Sequence, residues 1–438
     1  MTIKNIFFSF SVIVIFAVLL FVNLTELQSD ECAVPCDPVR ADESNCEPCE
    51  PIGCSPTEIE ICEVNNFFSD YKKSKCKLNC FDITGWIQGG FYSNAHGKTI
   101  ERDKVRNYDN RNVTAFKNNS GNGYFLGNTQ STDFQINQIW VEVTKEANGK
   151  HGLDWGFGTG LFFGTDAWFT QSFSDAKFDY GWQSGDYFTS IPSLYFQLAY
   201  GDLSVKVGKF ETYLGYESLR APDAIFYSHP YTFMLEPATH SGVLAEYSPS
   251  DKLQLVLAYT TGADGSLENA YDDHGFLGSI SYQLTKKLNL TYSMMFQRYG
   301  GGIYKNSFTR DFANSNQFFH TFLASYDISD RLTYTLQWSL GDVKDRLAST
   351  HDRLKGIGNY LKYKLNNFWS VGFRAEWFAN EDADFTEYTA GLTWKPNEKL
   401  IVRPELRFDH SSDKINKPFN GGKNRDQLSG GITGVIIF

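Results

Sequence analysis

Cysteine is missing from most of the chain. All eight cysteines of the 438 residues lie between positions 32 and 80, and the 358 residues after Cys80 contain none. Long apolar runs are also missing, because no stretch beyond Val22 approaches the roughly 20 residues that a helix needs to cross a bilayer. Basic residues are not in excess, since 40 Lys and Arg face 51 Asp and Glu. These absences exclude a helical membrane bundle and argue against nucleic acid as a partner.

The first segment has the pattern of an export signal. Lys4 precedes an apolar run from Ile6 to Val22, which only two serines interrupt, and polar sequence follows from Asn23. This pattern predicts a signal sequence over residues 1–29. The run is almost long enough to span a bilayer and no clear cleavage site follows it, so an uncleaved anchor stays an alternative.

A small cysteine-rich module is predicted over residues 30–80, on the periplasmic side of the membrane. An even number of cysteines in an exported segment favours four disulfides, with the pairing left open. Because residues 1–80 contain no histidine, an all-thiolate zinc or iron–sulfur site is the alternative. The predicted disulfide cysteines are Cys32, Cys36, Cys46, Cys49, Cys54, Cys62, Cys76 and Cys80.

Residues 81–438 alternate between apolar and polar side chains. In the segment 332–338 (LTYTLQW), Leu, Tyr, Leu and Trp fall on one face of a strand, and Thr, Thr and Gln fall on the other. An aromatic-rich outer face opposite a polar one suits a strand with lipid outside and water inside. Aromatic residues make up 16% of the chain, and the mean hydropathy is −0.35. Because lipid offers no hydrogen bonds to the backbone, such a sheet must close into a barrel.

The connections between these segments alternate between short and long. Seven short turns are predicted, at 145–151, 201–202, 248–251, 285–287, 328–330, 366–367 and 396–398. Eight longer connections lie between them, at about 94–130, 166–190, 211–239, 262–274, 299–315, 341–354, 379–384 and 410–427. Fifteen connections join sixteen strands, so we predict an all-β fold: a closed antiparallel transmembrane β-barrel of about 16 strands over residues 81–438. Both ends of the barrel then lie at its short-turn, periplasmic side.

Several stretches resemble a known family. The last strand ends GVIIF at Phe438, an aromatic ending that resembles the signal read by the barrel assembly machinery of the outer membrane. The segments 85–97 (GWIQGGFYSNAHG), 137–145 (NQIWVEVTK), 154–171 (DWGFGTGLFFGTDAWFTQ) and 192–247 resemble the OmpL-like β-barrel porin family. The resemblance covers about residues 82–438 and implies an outer-membrane porin. It brings no assigned substrate and no functional residues to transfer.

The third long connection is the predicted constriction of the pore. It lies between the fifth and sixth strands, where sixteen-stranded porins generally fold a loop inward, and its aromatic residues and prolines suit a confined segment. Its charged residues are Glu211, Glu217, Arg220, Asp223 and Glu236. Because acids outnumber the one arginine, a modest cation preference is expected. The alternative is an external loop that packs on a neighbouring subunit.

Alternation also predicts which charges line the lumen. Charged side chains on the lipid face cost about 2–4 kcal/mol each for Arg or Lys near the bilayer midplane, so they are expected to point inward. The predicted lumen wall comprises Lys206, Arg374, Glu376, Arg403, Glu405, Arg407 and Asp409. These charges either create a field across the pore that orients solutes or neutralise one another on a wet wall.

The sequence predicts a porin for passive diffusion of small hydrophilic solutes or ions, without a cofactor and without enzymatic activity. The Ser and His residues at 228–229 and 240–241 lack a nucleophile motif, and the other histidines are scattered over separate hairpins. A homotrimer would be common for this architecture. The alternative is a plugged structural barrel, which anchors the cysteine-rich module for a periplasmic partner or sheathes a partner protein.

Overall fold

A computed structural model of the chain describes residues 76–78, 81–95, 133–172, 178–179, 181–184, 187–234, 236–268, 273–298, 315–345, 351–380, 384–412, 417, 419 and 423–438. The contacts divide the chain into two units. One unit comprises Met1–Asn66 with Leu78–Cys80, of which only Leu78 is described. The other comprises Phe67–Lys77 with Phe81–Phe438 and contains the barrel. The predicted signal sequence lies outside the described residues, as does the cysteine-rich module apart from 76–78.

Sixteen long strands are found in the described residues. They are β1 (Phe81–Asn94), β2 (Asp133–Lys145), β3 (Asp154–Gly164), β4 (Leu194–Tyr200), β5 (Leu203–Glu211), β6 (Thr239–Ser250), β7 (Leu253–Ala263), β8 (His274–Thr285), β9 (Leu288–Arg298), β10 (Ser315–Ser329), β11 (Leu332–Asp345), β12 (His351–Lys364), β13 (Trp369–Ala379), β14 (Asp384–Asn397), β15 (Leu400–Ser411) and β16 (Asp426–Ile437). Short strand segments lie at Cys76–Leu78, Gln183–Ser184 and Tyr187–Ser190, and 3-10 turns at Gly149–His151, Asp166–Thr170 and Thr232–Met234. No helix in this described part is long and apolar enough to span a membrane.

The sheet closes on itself between its last and first strands. β16 pairs antiparallel with β1, in a register that joins Ile437 to Trp86 and Ser429 to Asn94. The backbone of Phe438 continues the ladder, because its N–H donates to the carbonyl of Gly85 at 2.9 Å. Each strand from β1 to β16 pairs antiparallel with the next. The prediction of a closed, all-β, antiparallel barrel of sixteen strands is confirmed.

The connections follow the predicted alternation, and four of the seven short turns are shorter than the sequence indicated. Between β6 and β7 the turn comprises residues 251–252, because the strand continues to Ser250. Between β14 and β15 it comprises residues 398–399, because Pro396 is part of β14. The register of the ladder shifts between Trp394 and Asn397, so the missing N–H of Pro396 costs no regular ladder hydrogen bond there. The turns are otherwise placed within one or two residues of their predicted positions.

Side chains alternate between the two faces of each strand. On β11, Gln337 is 2% exposed and its neighbour Trp338 is 47% exposed. On β15, Leu406 is 65% exposed while Arg407 is 1% exposed. Apolar side chains therefore cover the outer face, and the inner face carries most of the charged and polar ones, which is the distribution that a lipid environment requires.

Part of the inner face is nevertheless apolar. Along β6 to β14 a cluster of side chains, each at most 8% exposed, comprises Leu244, Val256, Ala258, Ala263, Leu277, Met295, Phe319, Val343, Leu354, Phe378 and Phe385. Leu214 and Tyr231, from the connection between β5 and β6, pack in the same cluster. The barrel therefore contains a hydrophobic core within its interior at the level of this connection.

Candidate functional site

The connection between β5 and β6 crosses the interior of the barrel. We call residues 212–238 the third long loop. The backbone N–H of Tyr216 donates to Gln337 on β11, at 3.2 Å, and the Tyr227 hydroxyl donates to Asn137 on β2, at 2.8 Å. On β15, Arg403 Nη1 donates to the carbonyl of Ala221 at 2.8 Å. Because these partners belong to separate parts of the wall, the loop lies within the barrel rather than outside it.

Glycines on the wall make room for the aromatic residues of the loop. On β13, a Cβ atom at Gly372 would lie 2.9 Å from Cζ of Phe226. On β1, a Cβ atom at Gly90 would lie 2.6 Å from the hydroxyl oxygen of Tyr227. Both approaches are closer than real Cβ atoms show, so any larger residue at these positions would force the loop to move.

Arginines on β13 and β15 hold the loop from the wall. Arg374 donates to Glu217 of the loop at 2.8 Å and to Glu387 of β14 at 2.5 Å. Arg407 donates from Nη1 to the carbonyl of His229 at 2.6 Å, and from Nε to Asp409 at 2.9 Å. The two arginines are at most 1% exposed, and guanidinium groups suit such buried, multiply bonded positions.

Carboxylates on the same strands accept hydrogen bonds from the loop backbone. Glu405 accepts from the N–H groups of Tyr227 and Ser228 at 2.6 and 3.1 Å. Glu376 accepts from the N–H of Thr232 at 2.9 Å and from its hydroxyl at 2.6 Å. A loop has no ladder to satisfy its backbone donors, so these charge-assisted bonds fix its path.

Two of the predicted constriction acids are paired with arginine. Glu211 accepts from Nε of Arg220 at 3.0 Å, and Arg220 also pairs with Glu142 on β2 at 2.8 Å. Burial alone would raise the pKa of Glu217, but the charge of Arg374 and the nearby ring of His229, with its Nδ1 3.6 Å from the carboxylate, hold that pKa below its usual value. Both carboxylates are therefore locally neutralised by arginine.

Within the described residues, the other two loop acids form no ion pair with an arginine. Glu236 accepts from Gln337 Nε2 at 3.1 Å and from Thr321 Oγ1 at 3.5 Å, both uncharged. Burial, together with the charge of Glu376, raises the pKa of Glu236 to about 8. Asp223 is exposed. Of the loop acids, Glu236 can change its charge with pH, and Asp223 presents its side chain to the lumen.

Lys206 lies on β5, away from the predicted lumen charges on β13 and β15. Its ammonium pairs with Glu246 on the neighbouring strand β6 at 3.3 Å. The hydroxyl of Tyr213, at the start of the third long loop, also donates to Glu246. Lys206 thus lies near the start of the third long loop. The other six predicted wall residues lie together around that loop: Arg374, Glu376, Arg403, Glu405, Arg407 and Asp409.

The second long connection, predicted at about 166–190, packs through its described residues beside the third long loop, a contact that the sequence did not predict. We call residues 165–193 the second long loop. Lys209 is 0% exposed and donates to the carbonyl of Thr170 at 2.6 Å and to the hydroxyl of Ser172 at 2.8 Å. The ring of Phe169 packs on that of Phe233, with 5.6 Å between their centroids. Strict alternation from the exposed Val207 would have placed Lys209 on the outer face, so the sequence carried no signal for this contact.

Glu387 was also missed, although a signal existed. Tyr388 is 49% exposed on β14, so alternation places its neighbour Glu387 on the inner face, where it is 0% exposed. The carboxylate accepts from Arg374 and from the hydroxyl of Thr389, at 2.5 and 2.6 Å. It therefore completes the ion-pair network on the wall.

The structure says little about the predicted disulfide cysteines and gives no support for a metal or catalytic site in the described residues. Seven of the predicted disulfide cysteines lie outside the described residues, and for Cys76 only the backbone is described. No group of three or more metal-ligating side chains is found in the described part of the chain. Ser228 is part of the structural network, because its hydroxyl accepts from Arg374 Nη2 at 3.2 Å.

Comparison with known proteins places this barrel among porins. Residues 81–438 match the family "Putative beta-barrel porin-2, OmpL-like". Similar solved structures are an anion-selective porin from Comamonas acidovorans (TM-score 0.55, 9% identity, 82% of this chain and 99% of that one), the trimer form of the outer membrane protein OmpT of Vibrio cholerae (0.53, 11%, 82% and 99%) and the outer membrane channel DcaP of Acinetobacter baumannii (0.50, 9%, 82% and 97%). At these identities the likeness shows the fold alone. Comparison with curated proteins gives no match.

Proposed function

Since the chain belongs to the OmpL-like β-barrel porin family, we propose that it is an outer-membrane porin through which small hydrophilic solutes or ions diffuse passively. Family membership and the barrel fold support a general porin role in the outer membrane. The observation that carries the proposal is the third long loop, which is fixed within the barrel by Arg374, Glu376, Glu405 and Arg407. A fixed inward loop narrows a pore to a defined width instead of opening and closing it.

The charges around the loop support a modest cation preference. Glu211 and Glu217 are paired with arginines, so their fields are largely cancelled. The preference then depends on Asp223, which is exposed, and on the ionised fraction of Glu236. We expect it to be small at neutral pH and to grow as Glu236 loses its proton.

Single-channel conductance in a planar bilayer tests this function. Refolded protein whose migration on gels shifts with heating is inserted, and the current and the reversal potential are measured under a KCl gradient. Ohmic steps would support the porin, and a reversal potential towards that of K⁺ would support the cation preference. Chloride selectivity would overturn the cation preference while leaving the porin in place.

The apolar cluster inside the barrel favours the second candidate, a plugged structural barrel. Leu244, Leu277 and Tyr231 are at most 1% exposed, although they belong to the inner face or to the inward loop. An interior that excludes water at this level would leave no diffusion path along β6 to β14. Correctly folded protein that inserts without any conductance would support this candidate and overturn the porin.

The predicted N-terminal region and the assembly state complete the proposal. We propose a signal sequence over 1–29 and a periplasmic module over 30–80 with four disulfides, which contacts a periplasmic partner. Thiol labelling of mature protein with and without a reductant tests the disulfides.

A homotrimer is proposed by analogy with the trimer form of OmpT, and cross-linking in native membranes tests it.

A further inference from the structure

Two lysines point into the barrel at the short-turn end of β12. Leu361 and Tyr363 are 38% and 40% exposed on the outer face of this strand. Because successive side chains of a strand point to opposite faces, Lys362 and Lys364 lie on the inner face. Both lysines are exposed, so within the barrel their ammonium groups are accessible to water.

The neighbouring strands add two more cations at the same end. Trp369 on β13 and Trp394 on β14 stack on the outer face, with 5.8 Å between their ring centroids, so Lys395 lies on the inner face. The charge of Lys395 interacts with those of Arg403 on β15 and of Lys362. Four cations from three strands thus face one region of the mouth.

The pairing of Lys362 and Lys364 differs from that of the arginines at the level of the loop. Arg374 is compensated by two carboxylates, those of Glu217 and Glu387. Among the residues that the structure describes, no carboxylate forms an ion pair with Lys362 or Lys364. The arginines therefore have a structural task, and these two lysines have none that the described contacts reveal.

The positions between the lysines are small and uncharged. Lys362 is paired in register with Gly372, and Lys364 with Ser370, both on the inner face of β13. No acidic side chain occupies the strand that separates the lysines of β12 from Lys395 at this level. The strand between the lysines therefore adds no negative charge, although Phe226 of the third long loop packs against Gly372. In the described residues, Asp223 of that loop is a carboxylate whose charge interacts with that of Lys395.

We propose that Lys362, Lys364 and Lys395 form a binding station for multivalent oxyanions, of which inorganic phosphate is the simplest, at the short-turn mouth of the pore. This inference rests on the proposed function in that the station lies on the diffusion path. Each ammonium group offers three donors on a flexible stem, so several of them can close around one multiply charged group of oxygens. A singly charged anion such as chloride has a weaker electrostatic attraction to the same cluster.

The station predicts block of the pore by phosphate. In KCl, addition of inorganic phosphate is expected to lower the single-channel current of the wild-type protein in a saturable manner. In the variant K362Q/K364Q/K395Q the half-blocking concentration should rise roughly tenfold, because partly hydrated charge contacts are individually weak and add up. The matched control is K286Q/K287Q/K399Q, which removes three exposed lysines from turns at the same end and should block like wild type.

Equilibrium dialysis with radiolabelled phosphate, on the full-length protein in detergent, tests the station without any need for conductance. Saturable binding in wild type and control, with roughly tenfold weaker binding in the triple lysine variant, is expected. Equal binding by all three proteins, or none by wild type, would overturn the station whether or not the protein conducts. Binding by a protein that does not conduct would instead keep the station and overturn only the porin.

Discussion

Arg374 on β13 and Glu217 in the third long loop form an ion pair of 2.8 Å across the interior of the barrel. The two side chains are at most 1% exposed and are separated by 157 positions along the chain. Around them, Glu387 accepts from the same guanidinium, and Ser228 contributes a carbonyl oxygen at 2.8 Å. The pair therefore fixes the loop to the wall at a point from which water is excluded.

Removal of one partner should be more harmful than removal of both. Replacement of Arg374 by Gln leaves Glu217 and Glu387 buried without their cation, and we expect a loss of about 3–5 kcal/mol in the free energy of unfolding. The double variant R374Q/E217Q should recover part of this loss. Urea unfolding, followed by tryptophan fluorescence in detergent, measures both. Arg331→Gln in an exposed turn is the control, expected within about 0.5 kcal/mol of wild type.

The backbone bonds to Glu405 should determine how steady the loop is. Glu405→Leu leaves the buried N–H groups of Tyr227 and Ser228 without their acceptor, at a cost of about 1–3 kcal/mol each. We expect a noisier open-channel current and a lower unfolding free energy, while Glu405→Gln, which keeps one acceptor, should be milder. Glu398→Gln in an exposed turn serves as the control. Identical current noise in E405L and wild type would show that the loop does not need this anchor.

Glu236 should make the cation preference depend on pH. Burial and the charge of Glu376 raise the pKa of Glu236 to about 8, so the group is largely neutral at pH 6 and negative at pH 9. The reversal potential in a KCl gradient should therefore shift towards that of K⁺ over this interval. In Glu236→Gln the shift should be absent, and in Asp223→Asn, whose side chain is exposed, it should persist.

The free energy of unfolding should depend on the ionisation of Glu236, and the direction of this dependence follows from the raised pKa. The pKa of Glu236 is higher in the folded protein than the ordinary value of 4.5, so the folded state binds its proton more tightly. The stabilisation is present below pH 4.5 and is lost as the pH rises towards 8. Relative to wild type, Glu236→Gln should therefore be more stable at pH 9 than at pH 5, as urea unfolding at the two pH values measures. A constant difference between the two proteins would contradict the raised pKa.

The contact between Gly90 and Tyr227 should not tolerate a methyl group. In Gly90→Ala the new Cβ would lie 2.6 Å from the Tyr227 hydroxyl and 2.7 Å from the carbonyl oxygen of Ile432. Overpacking of this kind costs about 1–3 kcal/mol, and displacement of the loop should change the conductance. Gly434→Ala on the adjacent strand has nothing within 4 Å of its Cβ and is the matched control. Equal stability of the two variants would mean that the loop yields freely at this point.

The sequence by itself determined the barrel, because the information is local. Alternation with a period of two, as at Gln337 and Trp338, decides which side chains face lipid and which face inward. The spacing of short and long connections decides the number of strands and the end at which both termini of the barrel lie. Each of these features is readable within about ten neighbouring residues, and the same alternation could have revealed Glu387.

Only the tertiary structure decided how the interior is filled. The loop partners of Arg374 and Glu405 lie more than 100 positions away along the chain, and the path of the third long loop brings them into contact. The burial of Lys209 under the second long loop runs against the alternation of its own strand. These contacts require the closed barrel with its loops inside, since a pairing between distant segments depends on the geometry of the whole sheet. The same closure places Lys362, Lys364 and Lys395 in one region of the mouth.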